Sequence, residues 1–290
     1  MNLEELIVSR NPKLAQTTIK SYASTLRSLF KKMYPNEPFD VSKFDNVNEV
    51  VSFIRDIPWN RRKPMNSALY LITQNKIYKE MLNDDWKKMT ASNETQEMSP
   101  KQKDASISQE DIKSRFEELK KNAGLCYKMT IINLIPINHF ILFACMSGIF
   151  IEPRRNSDWI NMKIKNIDKA TDNYIEKNQF VFNTYKTAKT YGQQRIDIPK
   201  ELMTILKKWI KVNPTEWLCF NTKLDQLTSP ETTRTLNIIF GKNTGINAIR
   251  HSYLSEKFQP MIELNKEMEE SFSKMGSSIL QFKTYVKKLN

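Results

Sequence analysis

The sequence predicts a mostly α-helical fold with a small β-sheet, an α+β chain in two parts. Three observations predict it. Apolar residues recur at helical spacing along most of the chain. Short extended segments cluster only between residues 163 and 198. A polar stretch rich in Ser, Lys and Glu, with Pro100, separates two apolar-rich parts. At 290 residues the chain accommodates two ordinary domains, each able to bury a core without disulfides. The division expected is a helical domain over 1–92, a linker over 93–107 and a mixed domain over 108–290.

The elements follow in order. Ile19, Tyr22, Ala23, Leu26, Leu29, Phe30 and Met33 share one helical face, and Pro35 ends that helix. A second helix is expected over Val47–Ile54 and a third over about 64–82. The basic cluster Arg61-Arg62-Lys63 precedes the third and is expected in a loop. Ser108 is suited to cap a helix that has Glu110 and Asp111 in its first turn. An apolar helix over about 137–147 closes at Gly148, and Pro153 is placed to begin the next. Strands are expected at Lys163–Ile167, Tyr174–Glu176, Gln179–Thr184 and Gln194–Ile198. The last two flank a basic turn, Lys186 to Gly192, and so form a hairpin with a cationic tip. Helices over about 201–212, 230–240, 246–258, 261–273 and 278–287 complete the chain.

Composition narrows the function. Lys and Arg number 45 against 32 Asp and Glu, a formal net charge of +13. That excess points to a polyanion, either nucleic acid or an acidic membrane surface. The most apolar stretch, Ile131 to Ile151, is broken by Asn133, Pro136, Asn138, His139, Ser147 and Gly148. It fits a buried helix better than a membrane span, which leaves nucleic acid as the expected partner. Only 6 Gly occur, without a G-x-G-x-x-G or a phosphate-binding loop motif. Cys126, Cys145, Cys219, His139 and His251 are scattered, so neither a metal site nor a cofactor is expected. Sparse, odd cysteines and a charged start without an apolar leader fit an intracellular protein.

Four patterns can carry chemistry. Ser147-Gly148 leads through a turn to Arg155 and Asp158, which are three apart and would share a helical face, so that Asp158 orients Arg155. Arg154 is the alternative clamp, although its i+3 neighbour is Ser157. Lys186 and Lys189 lie on the hairpin tip, and either can serve. Asn247-x-x-Arg250-His251 opens a helix. Met275-Gly276-Ser277 precedes Tyr285. Taken singly, each has a plain structural reading: a surface ion pair, solvated tip charges, a core histidine, a packing tyrosine.

In this order the four patterns resemble the tyrosine recombinase (phage-integrase) family, in the divergent form of some large DNA viruses and virophages. Arg155-x-x-Asp158 is similar to the family's first arginine box, and Lys186 to its hairpin lysine. Asn247-x-x-Arg250-His251 is similar to H-x-x-R-H, with Asn in place of the first His. Gly276-Ser277…Tyr285 is similar to its last box, with Ser in place of His. The resemblance implies a helical core-binding domain, a recombinase-like catalytic domain, and duplex DNA held between them. It implies a dimer on each DNA site, a tetramer in the synapse, and no membrane. Arg155 and Arg250 would clamp a phosphate, and Tyr285 would attack it to give a 3′-phosphotyrosyl link. Lys186 would protonate the leaving oxygen. Asn247 cannot shuttle a proton, and His251 is the candidate substitute. Asp158 and Ser277 would support, while Arg61, Arg62, Lys63 and Lys189 would contact DNA. The alternatives are a type IB topoisomerase-like relaxing enzyme and a DNA-binding protein that has lost catalysis. Tyr253 is the alternative nucleophile.

Overall fold

The computed structural model describes residues 2–124 and 131–287. The chain divides into two compact units, Met1–Met98 and Ser99–Asn290. The fold is mostly helical with one small sheet, as the periodicity predicts.

The first unit holds five helices: α1 (Leu3–Arg10), α2 (Gln16–Met33), α3 (Val47–Ile54), α4 (Trp59–Thr73) and α5 (Lys76–Glu94). Asn2 and Glu5 form a reciprocal capping box that starts α1, a helix the sequence reading missed. The expected face of α2 is buried: Ile19, Ala23, Leu26, Leu29 and Phe30 meet Ile7, Ile54, Leu69 and Ile72. The Tyr78 hydroxyl donates to the Phe44 carbonyl across this core. The single helix expected over 64–82 is instead two. Gln74 turns left-handed (φ 57°), its N–H closing on the Tyr70 carbonyl, and the Asn75 side chain caps the Ile77 N–H of α5. The basic cluster belongs to the first turn of α4 rather than to a loop.

The second unit begins with α6 (Pro100–Ala105), a short helix inside the polar stretch, opened by a Ser99–Gln102 capping box. Next come α7 (Gln109–Gly124) and α8 (Ile131–Met146). The Ser108 hydroxyl accepts from the Asp111 N–H, the expected cap, and the Ser108 N–H donates in return to the Asp111 carboxylate. Asn138 explains why an apolar helix carries an amide. Buried on α8, it donates to the Phe220 carbonyl (2.8 Å) and accepts from the Phe220 N–H (3.1 Å). Cys145 and Cys219 are free and buried, and burial raises both thiols above their ordinary range. Cys126 lies outside the described residues.

After α8, Gly148 adopts φ 87° and turns the chain. Pro153 does not begin a helix. The next one, α9 (Asn156–Ile160), starts after Arg155, which stands in extended conformation at its N-cap. Four strands follow: β1 (Met162–Lys163), β2 (Asn173–Glu176), β3 (Gln179–Phe182) and β4 (Gln194–Asp197). They pair in chain order, β1 parallel to β2 and the rest antiparallel, with Phe180 opposite Ile196. A one-turn helix, α10 (Ala188–Tyr191), occupies the hairpin tip between β3 and β4. Trp159 packs edge-on against Phe180 and Phe182 with ring centroids at 5.0 and 5.6 Å, which seats α9 on the sheet.

Three helices follow the sheet: α11 (Lys200–Val212), α12 (Ser229–Phe240) and α13 (Ile246–Lys274). The two helices expected over 246–258 and 261–273 are one. Pro260 lies inside α13, where the chain is exposed, so water can take the carbonyl that loses its N–H partner. The last expected helix is a 3₁₀ turn (Ile279–Gln281) leading into α14 (Phe282–Tyr285). Among the described residues, no helix is long and apolar enough to cross a membrane.

Candidate active site

The site is built where the turn after α8, the start of α9 and the start of α13 meet. Asp158 does not orient Arg155. It pairs with Arg154, Nε to Oδ2 2.9 Å, and takes a second bond from the Ser157 hydroxyl. The expectation failed because Arg155 precedes the helix. The i+3 rule applies to helical neighbours, and Arg155 is extended (φ −72°, ψ 157°). Arg154 also donates to the Gln194 side chain at 2.8 Å, and its guanidinium lies 4.0 Å over the Phe182 ring. Arg154 is therefore a pin joining the arginine turn to the sheet. The i,i+4 spacing of Arg154 and Asp158 is the signal that could have found it.

Arg155 is half-buried, and no carboxylate lies within ion-pair distance of it among the described residues. Its electrostatic neighbour is Arg250. Burial and then the like charge of Arg155 pull the Arg250 guanidinium below its usual value, with Asp158 opposing and Arg154 adding to the drop. The structure thus brings together arginines that are almost a hundred residues apart in sequence. Among these four groups there are three guanidiniums and one carboxylate, and that carboxylate is bonded to Arg154. Such an arrangement is an electrostatic host for an anion with several oxygens.

Buried Ile246 and Ile249 anchor the first turns of α13 and set the face that Arg250 presents. Asn247 and His251, one turn apart, are exposed beside it. The base of the hairpin is tied to the same turn. The Arg154 guanidinium lies 5.2 Å from the Tyr185 ring, and the Tyr185 hydroxyl donates to the Gly192 carbonyl. Lys186 follows Tyr185 and is exposed, and Lys189 is exposed on α10.

Tyr253, the alternative nucleophile, lies one turn after Arg250 on α13. Its hydroxyl donates to Glu152 (3.3 Å) and accepts from Lys257 (3.2 Å). Its ring closes on Gly148: a Cβ there would meet Tyr253 Cδ2 at 3.0 Å.

The last box lies elsewhere. Gly276 (φ 69°) and Ser277 close α13, their N–H groups donating to the carbonyls of Ser273 and Phe272. Tyr285 is exposed, and its ring centroid lies 6.2 Å from that of Phe272. Phe272 is 22 residues beyond Arg250 on the same helix. At 1.5 Å per residue that is a separation of roughly 30 Å. Tyr285 is therefore not gathered with the arginines of its own chain.

In the first unit, Arg62 corrects the expectation of a DNA contact. It is buried, its guanidinium spent on Asp85 (Nη2 to Oδ1 2.6 Å) and on the Arg55 carbonyl, with Asn66 donating to the same carboxylate. Lys63 lies 3.2 Å over the Trp86 ring. Arg61 is exposed.

No family model matches the chain, and no curated relative does. Among the solved structures similar to it are two recombinases and an integrase. The XerH recombinase bound to difH in a pre-cleavage complex is 14% identical, with a TM-score of 0.49, over 90% of this chain and 75% of that one. A lambda integrase dimer bound to a COC′ core site is 12% identical, with a TM-score of 0.46, over 88% of this chain and 87% of that one. The XerA recombinase is 11% identical, with a TM-score of 0.37, over 88% of this chain and 82% of that one.

Proposed function

We propose that the chain cuts and rejoins duplex DNA as a site-specific tyrosine recombinase, integrating or excising a viral or mobile genome. The observation that carries this reading is that Tyr253, one turn after Arg250, docks on Gly148 and Glu152 beside the arginine turn, so that the charge of Arg155 acts on Arg250. Two like charges held together and partly desolvated cost stability unless an anion completes them. A phosphodiester does so, and its non-bridging oxygens gain charge as the phosphorus becomes five-coordinate, where fixed guanidiniums act most strongly.

The Tyr285 oxygen would bond to phosphorus as the phosphorus–5′-oxygen bond breaks. The phenol proton leaves to His251 or water, with Asn247 donating to the phosphate. Lys186, or Lys189 on the same tip, gives a proton to the departing 5′-oxygen, which emerges as a hydroxyl. Reversal with a different 5′-hydroxyl rejoins the strand. Arg61, Lys63 and Lys189 would supply phosphate contacts whose strength falls steeply with salt. A dimer on each DNA site and a tetramer in the synapse belong to this reading.

A second reading, a DNA-binding chain without cleavage, is favoured by one observation: Tyr285 lies far from the arginines of its own chain. A duplex nicked near the target phosphate, which traps any covalent intermediate, separates the two. Recombinase chemistry gives a protein–DNA adduct that Tyr285→Phe abolishes. A DNA-binding protein shifts the duplex and gives no adduct.

A further inference from the structure

We infer that Gln194 is a positioning residue for the proton donor: acting through Arg154, it holds the hairpin tip so that Lys186 stands at a set place beside the arginine turn. The inference rests on the reading of a hairpin lysine as the acid. It deepens that reading by naming what aims the lysine and which of the two lysines it is.

The two legs of the hairpin are anchored separately. Asn173, the first residue of β2, holds the entering leg and is fully buried. Its amide nitrogen donates to the Asp158 carbonyl of α9 at 3.0 Å and to the Thr184 carbonyl at 2.9 Å. Its side-chain oxygen accepts from the N–H groups of Asn183 and Thr184 at 2.9 and 2.8 Å. All four hydrogen-bonding positions of this amide are filled, so α9 and the two residues before Tyr185 move as one piece.

The leaving leg is anchored by Gln194. Phe182 and Gln194 form the last pair of the β3–β4 ladder before the tip. Arg154 donates to the Gln194 side chain at 2.8 Å, while its guanidinium lies 4.0 Å over the Phe182 ring. Tyr185 closes the frame. It is buried, its ring is 5.2 Å from the same guanidinium, and its hydroxyl donates to the Gly192 carbonyl across the neck of the tip. Lys186 is the next residue and is exposed, whereas Lys189 stands three residues further along the tip. Without the Gln194 bond the leaving leg is free to tilt about the Asn173 anchor, and the lysine meets the leaving oxygen in poorer geometry.

In the step concerned, the phosphorus–oxygen electron pair leaves with the 5′-oxygen. That oxygen takes a proton from the Lys186 ammonium, which becomes a neutral amine. Sulfur in place of the 5′-oxygen leaves as a thiolate and needs no proton, because thiols are much stronger acids than alcohols.

Adduct formation on two nicked duplexes, one with oxygen and one with sulfur at the 5′-bridging position, tests the inference. Gln194→Met keeps the length of the side chain and removes the acceptor, and Gln194→Ala serves should it fold poorly. Either should slow the reaction about 10- to 100-fold on the oxygen duplex while staying within about 3-fold of wild type on the sulfur duplex. Lys186→Ala should show the same rescue by sulfur, and Arg155→Ala should be slow on both. A Gln194 variant slowed equally on both duplexes, or on neither, overturns the inference, as does rescue of Lys189→Ala in place of Lys186→Ala. Failure of sulfur to rescue either lysine variant overturns the reading of the hairpin as acid beneath it, and a wild type that makes no adduct on either duplex overturns the recombinase reading itself.

Discussion

Arg154 and Asp158 form a nearly dry ion pair, Nε to Oδ2 2.9 Å, that leaves Arg155, the next residue, without a carboxylate while its charge acts on Arg250. Two adjacent arginines thereby take different jobs. One holds the turn on the sheet, and the other is left half-buried without a carboxylate partner.

Removing the carboxylate should therefore hurt stability first. Asp158→Ala strands a buried guanidinium, and about 3–5 kcal/mol of stability should be lost from the second unit. Arg155→Ala should leave the melting temperature nearly unchanged, within about 0.5 kcal/mol, while cleavage falls at least ~100-fold. Thermal melts and adduct yields on the same preparations check both.

The first unit offers the matching contrast. Asp85→Ala should cost about 3–5 kcal/mol, because Arg62 is buried against it. Arg61→Ala should leave folding intact, weaken DNA binding and reduce the slope of log affinity against log salt by about 1. A titration of binding at several salt concentrations reads the slope.

Gly148→Ala should destabilise the turn by about 1–2 kcal/mol from the left-handed backbone alone. The contact with Tyr253 Cδ2 adds to this. The double variant with Tyr253→Ala should recover the contact part and keep the backbone part. Denaturant melts of the two single variants and the double close that cycle.

His139 carries a pH dependence. Burial on α8 lowers its pKa below the ordinary 6.5. Above that value both folded and unfolded chains hold it neutral. As the pH falls through about 6.5 the unfolded chain takes the proton first, so stability drops, and the drop levels off once the folded group also protonates. His139→Gln should remove that part of the drop, measured as the difference in melting temperature between wild type and variant across pH.

Much of the fold was legible because it follows periodicity. Helix α11 begins one residue before its expected start, α12 likewise, and the hairpin strands fall where alternation flanks a basic turn. The misses share a cause. Gln74 breaks α4 from α5 without the glycine or proline that marks such a turn. Pro260 marks a break that does not occur, since an exposed helix tolerates one lost bond. The Arg155–Arg250 neighbourhood was legible only through the order of the motifs, because no local rule pairs residues so distant in sequence. The partner of Asp158 was misassigned because helical spacing was applied one residue outside the helix. The separation of Tyr285 from the arginines was not legible, because it depends on α13 running unbroken.

The central claim is that a phosphate held by Arg155 and Arg250 is attacked by Tyr285. Proteolysis of the trapped wild-type adduct, followed by mass spectrometry of the nucleotide-bearing peptide, tests it most directly. The account predicts the deoxynucleotide on Tyr285. Finding it on Tyr253 or any other residue, or finding no adduct on any DNA site the protein binds, would contradict it.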